Sequence, residues 1–218
     1  MLEKLSDSLY LVRGPYNVLF SVFRDDVVIY ETPLGAAYSR AVLDLVSSVA
    51  GGKRVRYAVA SHFHPDHVVG VREYAARGIT VLAPSDAAES IALLMRRPHT
   101  LPPDGVTAGA AAPAIEAVRH RKVLDRRGVR ARLYDIGPTP HVAHLLVAYF
   151  PDEKLLFAAD VFDVLTTDQV LAGADAAALW QRVRALGLDV EAFVPAHGAP
   201  IDRPAIERAF EFRRRHGL

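Results

Sequence analysis

The sequence predicts an α/β fold in which two βα layers pack sheet against sheet, with the helices outside. Two observations carry this reading. Short runs of β-branched and aromatic residues alternate with segments whose apolar residues recur at helical spacing. The second half then repeats the plan of the first, and chemically active side chains stand where the apolar runs of each half end, the place where α/β sheets carry their chemistry.

Taken in order, residues 9–12, 18–23 and 27–30 read as a meander of three strands, separated by turn signals at Gly14-Pro15 and Arg24-Asp25-Asp26. Residues 31–35 close the last strand and open a helix from about Ala36 to Val49, on which Ala41, Val42, Leu45 and Val46 share one face. Gly51-Gly52 ends it. A buried strand at 55–60 follows, then a helix near 71–77, a strand at 80–83, and a helix N-capped within Pro84-Ser85-Asp86 that reaches about Met95. From Arg96 to Gly128 the pattern breaks down into a Pro- and Ala-rich connection, a candidate lid near the mouth of a site. Its basic end, from Arg119 to Arg132, reads either as a hairpin with outward charges or as an attractor for an anionic substrate. His99 and His120 read as surface residues. In the second half, residues 129–135, 145–150 and 154–159 are strands, and Pro151-Asp152-Glu153 is the turn between the last two. Helices are expected at about 174–186, with Trp180 as a core anchor, and at 203–216, with a strand at 192–194 between them.

The densest chemistry is Ser61-His62-Phe63-His64-Pro65-Asp66-His67, on the loop leaving the strand at 55–60. In an extended segment residues i and i+2 point the same way, so His62 and His64 can share one metal, while Asp66 and His67 turn toward a neighbouring position. The spacing therefore predicts two metal sites. Four ligand-type side chains so close together would otherwise be mutually repelling, partly buried polar groups. Three more such residues stand at later strand ends: His141 after Gly137-Pro138-Thr139-Pro140, Asp160 after the run 155–159, and His197 after Val194-Pro195-Ala196. They supply a third nitrogen for the His62/His64 metal, a carboxylate able to bridge, and an imidazole for the Asp66/His67 metal.

Composition bounds the function. The chain of 218 residues, 51% hydrophobic, is expected to be a single domain over residues 1–218 with a sizeable core. A net charge of +1 implies no polyanionic partner, so nucleic acid is not the expected ligand. With no cysteine there is no disulfide, thiolate nucleophile or thiolate metal ligand. No run is long and apolar enough to span a bilayer, and the first residues lack a signal-peptide plan, so the expected location is the cytoplasm. A trimmed signal peptide would leave a periplasmic or secreted protein looking the same.

The series His62-Phe63-His64-Pro65-Asp66-His67, Pro140-His141-Val142, Ala159-Asp160 and Pro195-Ala196-His197-Gly198 resembles the complete motif set of the metallo-β-lactamase fold superfamily. The resemblance covers essentially the whole chain. It implies a four-layer αββα sandwich of two mixed β-sheets with the metals at the edge where the sheets meet. It also implies that His62, His64 and His141 hold one metal, that Asp66, His67 and His197 hold the other, and that Asp160 bridges them. Glu31 stands where the family has an Asp and implies a carboxylate supporting the ligands from behind. Val69-Gly70 replaces the family's Gly pair, implying a different wall beside the metals. His144 either lines the pocket or faces solvent from a strand. The implied enzyme is a hydrolase with two Zn2+ per chain, Fe or Mn being the alternatives, that uses a metal-bridging hydroxide oriented by Asp66. Its partner would be a small-molecule substrate: an ester, lactone or thioester, with β-lactam cleavage, mononuclear iron dioxygenation or phosphodiester cleavage as alternatives. One major class of zinc β-lactamases has Cys where this chain has Asp160, which tilts the reading toward esters. Oligomeric state is not legible.

Overall fold

The computed structural model describes residues 1–100, 103–109, 113–126, 128–166 and 169–217. The first half runs β1 (Leu2–Lys4), β2 (Leu9–Val12), β3 (Val18–Val22), β4 (Asp26–Tyr30), α1 (Gly35–Val49), β5 (Arg54–Val59), α2 (Pro65–Val68), α3 (Val71–Ala76), β6 (Thr80–Pro84), α4 (Ser85–Arg96) and β7 (Ile115–Val118). The second runs β8 (Arg121–Val123), β9 (Arg132–Asp135), β10 (Leu146–Phe150), β11 (Leu155–Phe157), β12 (Asp163–Thr166), β13 (Gln169–Leu171), α5 (Ala174–Ala185), β14 (Ala192–Val194), β15 (Ile201–Asp202) and α6 (Arg203–His216). Strands β1 to β7 form one sheet in sequence order, antiparallel up to β4 and parallel from β4 onward. The second sheet has the order β15-β14-β11-β10-β9-β8, with β11 and β14 its parallel pair. Both sheets are mixed, and β12 with β13 forms a separate hairpin.

The period of two along the strands sorts side chains into layers. Leu19, Val28 and Tyr30 face inward and join Leu133, Leu146, Phe150, Phe157 and Val194 of the other sheet in one apolar layer. Tyr30 meets Phe150 edge-on there, with ring centroids 5.0 Å apart. The alternate residues Phe20, Val27 and Ile29 face outward onto Val42 and Val46 of α1 and Tyr74 of α3. On the opposite side Val147, Tyr149, Leu156 and Phe193 pack against Leu179 and Val183 of α5 and Ile206 of α6. Trp180 is a partly buried flank of that layer, in contact with Phe210. This is the expected αββα order. Helix α6 has the sharpest start, where Asp202 caps the Ala205 amide at 2.9 Å.

Two expectations need correction. The connection from Arg96 to Gly128 is not irregular throughout, because it contains β7 and β8, which extend an edge of each sheet by pairing with β6 and β9. Strands this short carry no readable alternation, so the Pro- and Ala-rich composition hid them. The part of the candidate lid at 101–102, 110–112 and 127 lies outside the described residues. Helix α4 also lacks a side-chain cap, since Pro84 occupies the cap position at the end of β6 and Asp86 turns back onto the Ala87 amide. The basic stretch is largely matched by acids: Arg126 reaches Asp26 at 2.7 Å and Arg132 reaches Asp125 at 2.9 Å, while Arg130 pairs with Asp152 and Lys122 with Glu116. Among the described residues no helix is long and apolar enough to cross a membrane.

The segment after α4 is tied down by one buried cation. Arg72 of α3 forms a two-pronged pair with Asp104 and donates to the carbonyls of Leu94 at 2.7 Å and Arg97 at 3.0 Å and to the Thr107 hydroxyl at 3.1 Å. The Arg72 hydrogen bonds hold the Asp104 carboxyl well below its usual range, against the opposing effect of burial. Arg72→Ala should therefore cost about 3 kcal/mol in urea unfolding, as expected for removing one partner of a buried pair. A depressed carboxyl pKa stabilises the fold above the unfolded value and loses that contribution as pH falls through the folded one. Wild type should accordingly lose stability below about pH 4, and Arg72→Ala should lose less over the same interval. Equal acid slopes would show that the pair contributes nothing.

Candidate metal centre

The strand ends that meet at one edge of the sandwich carry the site. Backbone bonds join the two sheets there: the Leu146 amide donates to the Ser61 carbonyl at 2.9 Å, and the Asn17 amide to the Ala196 carbonyl at 2.7 Å. The Asn17 side-chain amide also donates to the Pro195 and Gly198 carbonyls at 2.9 and 2.8 Å, which fixes the turn presenting His197.

Local sequence explains how the 61–67 stretch faces two ways. His64 keeps extended dihedrals as the cap residue, and Pro65 opens the short helix α2, a position where its missing N–H costs nothing. His62 and His64 thus leave the strand on one side, while Asp66 and His67 lie on the first helical turn. Thr32 pins that turn by donating to the His67 carbonyl at 2.6 Å. Gly70 admits the close approach behind it, since a Cβ there would sit 2.5 Å from the Thr32 carbonyl oxygen. His141 is presented by a loop whose amide at 141 donates to Asp175 of α5 at 2.8 Å and to Thr139 at 3.1 Å.

The seven predicted residues converge. His62, His64, His141 and Asp160 form one group and Asp66, His67, Asp160 and His197 another, with candidate donor atoms in each lying within 4.8 Å of one another. Asp160 belongs to both. Its Oδ2 is 3.7 Å from His62 Nε2, 3.4 Å from His141 Nε2 and 2.9 Å from His67 Nε2, while its Oδ1 is 3.2 Å from His197 Nε2. His62 and His141 bring their Nε2 atoms to 3.3 Å. Ligands at 2.0–2.2 Å on the corners of a tetrahedron lie roughly 3.3–3.6 Å apart, so these spacings suit a first-row cation between them. The donor set is imidazole and carboxylate, which such cations accept.

The floor of the site is buried and the rim open. His62, His67 and Glu31 are fully buried, whereas the side chains of Asp66 and His197 are 45% and 46% exposed. Each buried imidazole has a polar group behind its second nitrogen: His62 Nδ1 lies 2.9 Å from the Ser61 hydroxyl, and His67 Nδ1 lies at ion-pair distance, 3.3 Å, from Glu31 Oε2. That leaves Nε2 of both for the centre, the arrangement in which metal-binding histidines are held by a carboxylate or hydroxyl behind them. Burial and the neighbouring His67 push His62 down to about 4. Burial also opposes charge on His67, but Glu31 and Asp160 outweigh it and raise His67 to about 10. Asp160 is held below its usual range by His197 and His67 against the cost of burial, and Glu31 by His67 against the same cost. Both nitrogens of His67, Glu31 Oε2 and Asp160 Oδ1 are nevertheless buried without a well-aligned hydrogen bond among the described residues. Buried polar atoms in that state call for a missing partner, and the carboxylates call for a cation. The residues present fit a metal pair.

One residue at the site, Tyr16, escaped the sequence, and a second, Glu31, was foreseen only in part. Glu31 was legible by analogy, but its left-handed backbone, φ 95°, was not; it aims Oε1 at the Thr32 and Ser61 amides, 3.2 and 3.5 Å away. Tyr16, between β2 and β3, donates to Asp66 Oδ2 at 2.8 Å and meets the His197 ring edge-on at 4.2 Å between centroids. Burial and Asp66 raise its hydroxyl to about 12, so it stays a donor. Its only sequence signal is the adjacent Gly14-Pro15 turn. His144 lies away from the cluster, with Nδ1 2.8 Å from Asp135 Oδ2. Val69 is exposed beside α2.

The model of the family described as "Metallo-beta-lactamase superfamily" matches residues 11–197. Among solved structures the chain is similar to a metallo-beta-lactamase from Pontibacter korlensis, at 17% identity over 98% of each chain with a TM-score of 0.73. It is similar to DIM-1 metallo-beta-lactamase at 16% identity, over 99% of this chain and 97% of that one, with a TM-score of 0.71. TMB-1 gives 16% identity over 100% and 98%, with a TM-score of 0.70. At such identities the likeness is one of fold. No curated protein matches by sequence.

Glu31→Gln removes the charge behind His67 while keeping the side-chain volume. Metal affinity, measured by competition with a chelator, should fall about 10- to 100-fold with the circular dichroism unchanged. Unaltered affinity would mean that Glu31 serves the fold alone.

Proposed function

The chain belongs to the metallo-β-lactamase superfamily, and from that premise we propose that it is a dinuclear zinc-dependent hydrolase cleaving an ester, lactone or thioester bond. The observation that carries the reading is the placement of Asp160 in both donor groups, with Oδ2 3.4 Å from His141 of one group and 2.9 Å from His67 of the other. His62, His64 and His141 would hold one ion, Asp66, His67 and His197 the other, and Asp160 both. When bound, such a pair supplies a water acidified to near neutrality and a Lewis acid for the carbonyl oxygen.

The chain's own groups do the positioning. Asp66 is the exposed carboxylate of the cluster and faces the opening, where it can orient the attacking water and take its proton. The Tyr16 hydroxyl fixes one oxygen of that carboxylate and, remaining protonated, cannot compete for the proton. Glu31, Ser61 and Thr32 hold the floor still, so the donors need no rearrangement during reaction.

Cleavage of β-lactams is the second reading, favoured by the names of the structural relatives. Ester cleavage is preferred on ligand chemistry. The chain has no cysteine, and the position shared by the two groups is a carboxylate, so a hard, symmetric donor replaces the soft sulfur that would leave one ion freer to catch a departing nitrogen.

Elemental analysis of protein prepared without chelators should find two zinc ions per chain, and Asp160→Ala should lower occupancy of both positions together. One equivalent of iron would instead indicate a mononuclear oxygenase. A panel of lactones, thioesters, aryl esters, phosphodiesters and β-lactams, ranked by kcat/KM on zinc-loaded enzyme, should place a lactone or ester first. Asp66→Asn should abolish nearly all of that turnover without unfolding the chain, and a β-lactam at the head of the ranking would reverse the substrate preference.

A further inference from the structure

A second cleft lies apart from the metal-type cluster, at the base of the loop that presents His141. It has a volume of about 280 Å³, and its walls include Arg119, His120, Asp135, Gly137, His144 and Arg182. Four of these side chains are basic and one is acidic. The acid is spent internally: the Asp135 side chain is 3% exposed, one oxygen accepts from the Gly137 amide at 2.9 Å and the other lies 2.8 Å from His144 Nδ1. Held this way, His144 has Nε2 left for a ligand, the geometry by which a buried Asp orients a working imidazole. Gly137 has φ 73°, and a Cβ built there would lie 3.5 Å from Arg182 Nη2, so the Arg182 guanidinium lies across this glycine at the cleft. Among the described residues neither Arg119 nor Arg182 has a carboxylate partner, unlike Arg126, Arg130 and Arg132 nearby.

We propose that this cleft, formed by Arg119, His120, His144 and Arg182, is a binding site for a small phosphate monoester. Two guanidinium forks and two imidazoles offer more donors than the two oxygens of a carboxylate accept, whereas a phosphate presents three oxygens and two charges. Arginine recognises such oxygens in pairs. Ala185 and the exposed Leu186 close the remaining side with apolar surface for the organic part of the ester. The volume is at the small end of ligand sites, which suits a compact ester. The site uses none of the seven metal-type residues, so it stands whether or not the hydrolase reading does.

The test is calorimetric titration of metal-loaded protein with phenyl phosphate and with inorganic phosphate, in wild type, Arg119→Glu/Arg182→Glu and His144→Phe. Wild type should bind both, phenyl phosphate more tightly because of Leu186. The double variant should lose at least tenfold in affinity, and His144→Phe about fivefold, with metal content and circular dichroism as in wild type. If the double variant does not fold, Arg182→Gln and Arg119→Gln tested singly should each weaken binding. Unchanged affinity in the arginine variants would place the phosphate at the metal centre and overturn the proposal. So would no binding at millimolar ligand, or a single-stranded oligonucleotide that displaces phenyl phosphate and binds more tightly through the same arginines.

Discussion

A buried imidazole between two carboxylates is the constraint around which this structure is arranged. His67 is fully enclosed, with Glu31 3.3 Å from one nitrogen and Asp160 2.9 Å from the other. Removing charges from water costs several kcal/mol each unless they are matched. Here three carboxylates, Glu31, Asp160 and, at the rim, Asp66, stand among five imidazoles; burial disfavours charge on His62 and His64, so the carboxylate charge exceeds that of His67, the imidazole that Glu31 and Asp160 hold protonated. That imbalance is tolerable in a site that recruits cations and hard to rationalise in one that does not. The metal-type geometry and the electrostatics of these side chains therefore point the same way.

The rest of the fold keeps that arrangement from relaxing. Glu31 ends β4, the His62 loop leaves β5, Asp160 follows β11 and His197 follows β14, so each group is fixed by a strand in the interior of a sheet. The strand ends are sewn across the seam by backbone bonds at Ser61 and Ala196 and by the Asn17 side chain. Beneath them the two sheets share one apolar layer, which resists sliding because close-packed interiors cannot deform continuously. A site built on such supports is preorganised, the property that electrostatic catalysis requires.

Charge is handled differently at the periphery. Arg72 is enclosed and consumed by Asp104 and two carbonyls, so it serves to anchor the chain after α4. Asp26, a buried carboxylate at the start of β4, accepts Arg126 at 2.7 Å and has Arg56 3.6 Å away. The Arg126–Asp26 pair joins the two halves at the start of β4, the end of that strand remote from Glu31. The cleft at Asp135 inverts the pattern, with the acid hidden and the bases turned outward.

The sequence alone determined a great deal here. Alternation in residues 9–30 and helical spacing in 36–49 are local properties, so the strands and helices they encode were legible, as was the layering of two βα halves. The seven metal-type residues were legible for a related reason: each sits where an apolar run stops, and four fall within six positions. Only the tertiary structure decided the rest. Strands β7 and β8 exist because neighbouring strands offer them unpaired backbone, a long-range circumstance that three or four residues cannot announce. Tyr16 reaches Asp66 across 50 positions, and Asp135 acquires His144 through the return of a loop, neither of which leaves a periodic trace. Periodicity is written in neighbouring residues, whereas the placing of one side chain against another depends on where the whole chain has already gone.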